Sequence, residues 1–130
     1  MGFLSVIVAA IAGFAFGAAW YMALAKPWVA AVGIKTDENG RPEGDSPLPY
    51  VMAFIAMILV AGMMRHVFAL SGIDGVGKGL VSGLGIGLFF ISPWIMINNA
   101  YGMRPFKLTL IDSGYAVFGC AVIGAVLALF

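Results

Sequence analysis

The sequence predicts an all-α bundle of four membrane-spanning helices. Three observations lead there. Hydrophobic residues make up 62% of the 130-residue chain and charged residues 10%, against roughly 45–50% and about 25% in a soluble domain. The apolar residues gather into four runs at about 3–25, 48–70, 76–97 and 108–130, each roughly 19–23 residues long, enough for a helix to cross about 30 Å of hydrocarbon. The runs are apolar on every side, whereas a membrane barrel needs alternating strands with a polar interior.

The first run ends near Lys26-Pro27-Trp28. It has no Lys or Arg ahead of it and exceeds a signal-peptide core, so it is expected to remain as a helix. A polar loop over 26–47 follows. It contains an apolar piece, Trp28–Ile34, suited to the interface, and a tight turn at Asn39-Gly40. Ser46-Pro47 reads as a helix start, with Ser at the N-cap and Pro at the first helical position.

The second run ends near Arg65-His66 or continues to Leu70. The turn Ser71-Gly72-Ile73-Asp74-Gly75 brings the chain back. The third run ends near Pro93-Trp94 or a turn later, before a polar link over Asn98–Pro105. The fourth helix begins at about 108, or at Asp112 if that residue is its N-cap.

Shifting the chain by 66 residues places Gly13, Gly17, Pro27 and Trp28 on Gly79, Gly83, Pro93 and Trp94. This faint repeat points to two tandem hairpins related by an axis along the membrane normal. The chain reads as one integral membrane domain.

Positive charge is uneven. Lys26, Lys35, Arg41, Arg104 and Lys107 flank the first and third connections, and only Arg65 and Lys78 lie toward the other side. The positive-inside rule then makes those two connections cytoplasmic and leaves both termini outside.

The aromatics sort the same way. All three Trp and all four Tyr (Trp20, Tyr21, Trp28, Tyr50, Trp94, Tyr101, Tyr115) lie toward the loop side. One reading is a single leaflet's aromatic belt. The other is an aromatic-lined vestibule that takes a small, partly apolar solute, with Asp112 as polar anchor and Asn98 beside Trp94 and Tyr101. Asn98, Asn99 and Ser92 equally suit capping of the third helix. Asp112 itself is open to two readings: a carboxyl within the bilayer that marks a ligand path, or an interfacial helix cap favoured by the dipole. Lys26, Arg104 and Lys107 are its candidate partners.

Glycines at four-residue spacing, Gly13 and Gly17 in the first run and Gly75, Gly79, Gly83 and Gly87 in the third, predict close helix packing. Helix 1 on helix 3 is one arrangement. A homo-oligomer through the longer stripe is the other. Gly83-x-Gly85-x-Gly87 lies inside an apolar run with no strand before it, so it is no phosphate loop.

Little supports catalysis. Cys120 is the single cysteine and has no base at its depth, so neither a disulfide nor a thiol–base pair is expected. His66 is the single histidine, placed with Arg65 to snorkel at a helix end, and no metal-ligand cluster forms. The expectation is therefore a non-enzyme with no metal and no cofactor. A net charge of +1 gives no sign of a nucleic-acid partner. The expected partners are the bilayer and either further copies of the chain or a larger membrane complex that it serves as an accessory subunit.

Gly17-Ala18-Ala19-Trp20-Tyr21, then Trp28 and Gly33, Pro49-Tyr50, and Leu110-Ile111-Asp112-Ser113-Gly114-Tyr115 resemble the bacterial membrane family catalogued as domain of unknown function 1761. The resemblance covers nearly the whole chain. Its most specific parts are Gly-x-x-Trp-Tyr and Ile-Asp-x-Gly-Tyr. It implies a four-helix protein of the bacterial inner membrane, and it implies no activity, cofactor or catalytic residue.

Overall fold

The computed structural model describes residues 2–34 and 47–130. Most of the polar loop, its Asn39-Gly40 turn and Ser46 lie outside the described residues. The described chain is helical throughout: α1 (Gly2–Ala23), α2 (Ala25–Val32), α3 (Leu48–Ser71), α4 (Val76–Ile86), a π-helical turn (Gly87–Ile91), α5 (Ser92–Tyr101) and α6 (Phe106–Leu127). Four stretches are long and apolar enough to cross a membrane: Phe3–Ala23, Leu48–Ser71, Val76–Tyr101 and Phe106–Leu127. They are called spans 1 to 4 below. The architecture is thus the all-α four-span bundle the composition predicts, compatible with a multi-pass membrane protein.

Several boundaries differ from the sequence reading, and prolines account for most of them. Span 1 breaks at Leu24 (φ −109°, ψ 21°), and the chain resumes helix as α2. Pro27 has no N–H to give the Ala23 carbonyl and its ring crowds that group, so the helix divides one turn ahead of it. The apolar start of the first connection is therefore a short helix rather than loop.

Span 3 does not end at Pro93. It widens into a π turn, where the Ser92 backbone N–H donates to the Gly87 carbonyl five residues back and the Ser92 hydroxyl donates to the same oxygen at 2.7 Å. A turn widened by one residue removes the clash between the Pro93 ring and the carbonyl four residues earlier. The helix then runs on to Tyr101, so Asn98 and Asn99 lie in its last turn and not in a link.

Span 2 starts at Leu48 with Pro47 at the N-cap, not inside the helix. Span 4 starts at Phe106, after Pro105 in extended conformation. That places Asp112 inside the helix, about 9 Å from its start at 1.5 Å per residue. Asp112 is not a helix cap.

Span 4 organises the bundle. It packs against span 1, against all three parts of span 3 and more lightly against span 2, while spans 1 and 2 pack on each other. Of its most apolar window 44% is buried, against 17% for span 2 and 11% for span 3. The pairing of span 1 with 2 and of span 3 with 4 gives two hairpins in chain order.

The glycine stripe of span 3 explains why the second pair lies so close. A Cβ on Gly79 would collide with the Gly124 carbonyl, one on Gly83 with the Cys120 carbonyl, and one on Gly87 with the Ala116 carbonyl. Each step of four residues up span 3 matches four residues down span 4, as expected of antiparallel helices meeting backbone to backbone. Gly75 takes no part. It sits before α4 with φ +84° and open space around it.

Gly13 and Gly17 also face span 4, against the Ile123 and Tyr115 side chains at 2.9 and 2.7 Å from an added Cβ. The expected packing of helix 1 on helix 3 is thus replaced by packing of both on span 4. The glycines matched by the 66-residue shift do different jobs, since one pair meets backbone and the other makes room for side chains.

Beneath the loop-side residues lies an apolar core of small and medium side chains, with Ala9, Ala10, Ala61, Met64, Phe68, Cys120, Ile123 and Leu127 buried together.

Candidate functional site

Trp20 and Tyr21 stand on the last turn of α1, beside the second turn of α6. Because spans 1 and 4 are antiparallel, residues 91 positions apart become neighbours. The Trp20 indole N–H donates to the Ile111 carbonyl at 2.9 Å. The Tyr21 hydroxyl donates to Asp112 Oδ1 at 2.7 Å, the short distance of a strong O–H···O bond. The Trp28 indole, carried on α2, lies beside the Asp112 carboxyl.

One helical turn further along α6, the Tyr115 hydroxyl lies 3.0 Å from the Gly13 carbonyl and 3.2 Å from Met57 Sδ of span 2. These bonds tie spans 1, 2 and 4 together at one level.

Ring packing surrounds the carboxyl. Tyr21 meets Tyr115 edge to face, with centroids 5.5 Å apart and planes at 76°. It meets Trp28 in the same manner at 5.9 Å and 76°. Phe16 lies nearly parallel to Tyr115 at 6.3 Å and 22°, and Trp20 lies 5.9 Å from Phe16 and 6.1 Å from Phe118. Two glycines make this possible. The Tyr115 ring occupies the place of a Gly17 side chain, and the Trp20 ring that of a Gly114 side chain. In the Gly-x-x-Trp-Tyr and Ile-Asp-x-Gly-Tyr elements, each glycine thus admits an aromatic ring of the other element.

The nine residues expected to line a vestibule divide. Trp20, Tyr21, Trp28, Asp112 and Tyr115 converge and are partly buried. Tyr50, Trp94 and Tyr101 do not join them and stand 62%, 67% and 87% exposed. Asn98 is exposed as well, and its carbonyl accepts the Gly102 N–H at 3.0 Å, closing the end of α5. Neighbouring Asn99 donates its side-chain amide to Thr109 Oγ1 at 3.2 Å, joining spans 3 and 4.

None of the three basic residues expected beside Asp112 pairs with it. Lys26, Arg104 and Lys107 are exposed. The Arg104 guanidinium donates to the Val32 carbonyl at the end of α2. Among the described residues the one ion pair is Lys78–Asp74 at 3.8 Å, on the far side of the bundle, and no three His, Cys, Asp or Glu come together.

The sequence reading missed Phe16, Phe118, Met57, Gly114 and the Arg104–Val32 clasp. Gly114 carried a usable signal, standing two residues after Asp112 and one before Tyr115 in a helix where close approach is the usual reason for glycine. The others are ordinary apolar or loop residues, recognisable only from their neighbours.

No curated protein and no solved structure matches this chain. The family described as Protein of unknown function (DUF1761) matches residues 4–128. That match takes in every residue of the aromatic–carboxyl cluster, and the chain belongs to this family.

Proposed function

We propose that this chain is a multi-pass protein of the bacterial inner membrane that binds a small solute at Asp112 and passes it across the membrane as a homo-oligomer. The observation that carries this reading is the Asp112 carboxyl itself. It lies within span 4, held by the Tyr21 hydroxyl beside Trp28, with no cationic partner among the described residues. A carboxyl within a span is costly to keep there and ordinarily marks a ligand or ion path. Trp20 and Tyr115 join the same helices without it.

The site sits at the end of the bundle carrying the first and third connections, and the charge asymmetry favours a cytoplasmic side for that end. Four helices enclose little space of their own. Spans 2 and 3, whose apolar windows are 17% and 11% buried, supply the surface for further copies.

The test is the mass of the full chain purified in mild detergent, with co-purifying small molecules identified by mass spectrometry. A homogeneous oligomer holding a small molecule that Asp112→Asn loses supports the reading. A bare monomer whose Asp112→Asn variant behaves identically overturns it.

The same exposed faces favour a second reading, an accessory subunit held against a larger membrane complex. In that case Asp112→Asn leaves function intact, and the chain leaves native membranes only together with its partner.

A further inference from the structure

We infer that the solute taken at Asp112 is a small organic cation of the alkylammonium class. The inference rests on the binding reading above and names the class of its ligand. The cluster offers one carboxyl, the Tyr21 hydroxyl donating to it, the Trp28 indole beside it and a third ring against Tyr21.

Each alternative ligand class fits this set poorly. A hard metal cation takes about six or more oxygen ligands, and the cluster supplies a single carboxylate with phenol and indole groups. An anion would meet a carboxylate with no basic side chain turned toward it among the described residues. The Arg104 guanidinium is committed to the Val32 carbonyl, and Lys26 and Lys107 are exposed. A neutral aromatic solute could stack on the rings, yet it would leave the carboxyl uncompensated inside the span.

A substituted ammonium answers both features. Its charge balances Asp112. Its weakly hydrated methyl or methylene shell is suited to the aromatic side chains beside that carboxyl, Tyr21 and Trp28, since a desolvated cation gains most from such rings. Tyr21 has a defined part in this exchange, because its hydroxyl occupies Oδ1 while the site is empty and releases that oxygen when a cation arrives.

The experiment is calorimetric titration of the full chain in nanodiscs with choline and with dimethylbutanol, its uncharged carbon isostere, with protein-free discs subtracted. The expected result is roughly tenfold tighter binding of choline, within the range that cation–π contacts at a desolvated site supply. Asp112→Asn is expected to erase the preference. Should that variant fail to assemble, Tyr21→Phe keeps the test open. It retains the ring and frees the carboxylate, so the preference for choline is expected to persist or grow.

Equal or tighter binding of dimethylbutanol overturns the ligand class and leaves the binding reading standing. Binding of neither molecule above the empty discs also overturns the ligand class, and the binding reading is then decided by the small molecules that co-purify with the chain.

Discussion

The Tyr21 hydroxyl donates to the Asp112 carboxyl at 2.7 Å across 91 residues of sequence. With the Trp20–Ile111 bond, it joins the end of span 1 to the early part of span 4. Hydrogen bonds between membrane helices are worth about 0.6 kcal/mol on average and about 1.7 kcal/mol at most. The coupling between Tyr21→Phe and Asp112→Leu is therefore expected within that range, measured as a double-mutant cycle on unfolding in detergent. Additive single effects would show that the bond does not hold the spans together.

Tyr115 separates ring packing from hydrogen bonding. Tyr115→Phe keeps the ring over Gly17 and removes the contacts to Gly13 and Met57, for an expected loss of about 1 kcal/mol. Gly17→Ala places a Cβ 2.7 Å from the ring and forces Tyr115, with Tyr21 beside it, to move. Overpacking of this kind costs about 1–3 kcal/mol. The tryptophan band of near-ultraviolet circular dichroism should change for Gly17→Ala, which displaces the cluster, and stay close to wild type for Tyr115→Phe, which removes only a tyrosine signal.

The glycines of span 3 give an internal control. Gly83→Ala meets the Cys120 backbone, which cannot swing aside as a side chain can, and is expected to lower stability by at least about 2 kcal/mol. Gly85, two residues on, has open space around its added Cβ. Gly85→Ala should be neutral or stabilise by up to about 1 kcal/mol, the helix-propensity gain of alanine over glycine. Thermal unfolding of the two variants side by side decides the matter. Similar melting temperatures would mean that spans 3 and 4 do not meet on this face.

Arg104 holds α2, and α2 carries Trp28. The guanidinium donates to the Val32 carbonyl at a helix end, where a cation is favoured by the dipole. Gly33 then ends the helix at φ +77°. Arg104→Ala should raise amide hydrogen exchange in α2 and leave the core of span 4 unchanged. Gly33→Ala should act the same way through backbone strain of about 1 kcal/mol. Unchanged exchange in α2 for both variants would show that other contacts hold it.

Sequence by itself determined the class of this protein. Four apolar runs of bilayer length allow only helices, because a backbone in hydrocarbon must satisfy its own hydrogen bonds. The close-packing glycines at 79, 83 and 87 were legible for the same kind of reason, since small residues at i and i+4 serve backbone approach. All Trp and Tyr and five of the seven basic residues fall around the first and third connections, and reversal of the chain at each turn brings those segments to one end. The Gly-x-x-Trp-Tyr and Ile-Asp-x-Gly-Tyr elements already marked the two segments that meet.

Tertiary structure alone decided what faces what. Which helix receives a glycine stripe depends on rotation about the helix axes, and runs apolar on every side carry no periodicity to fix it. In sequence Asp112 suits a cap as well as a carboxyl within the span, because polar residues usually bound a span. Only the packed start of α6 shows the helix beginning six residues earlier, at Phe106. The proline effects at Leu24 and at Gly87–Ile91 follow from local clashes, yet a break in one case and a widened turn in the other depend on what each segment packs against. Trp94 and Tyr101 lie toward the same end of the bundle as Trp20 and Tyr21, and they remain outside the cluster, exposed on span 3.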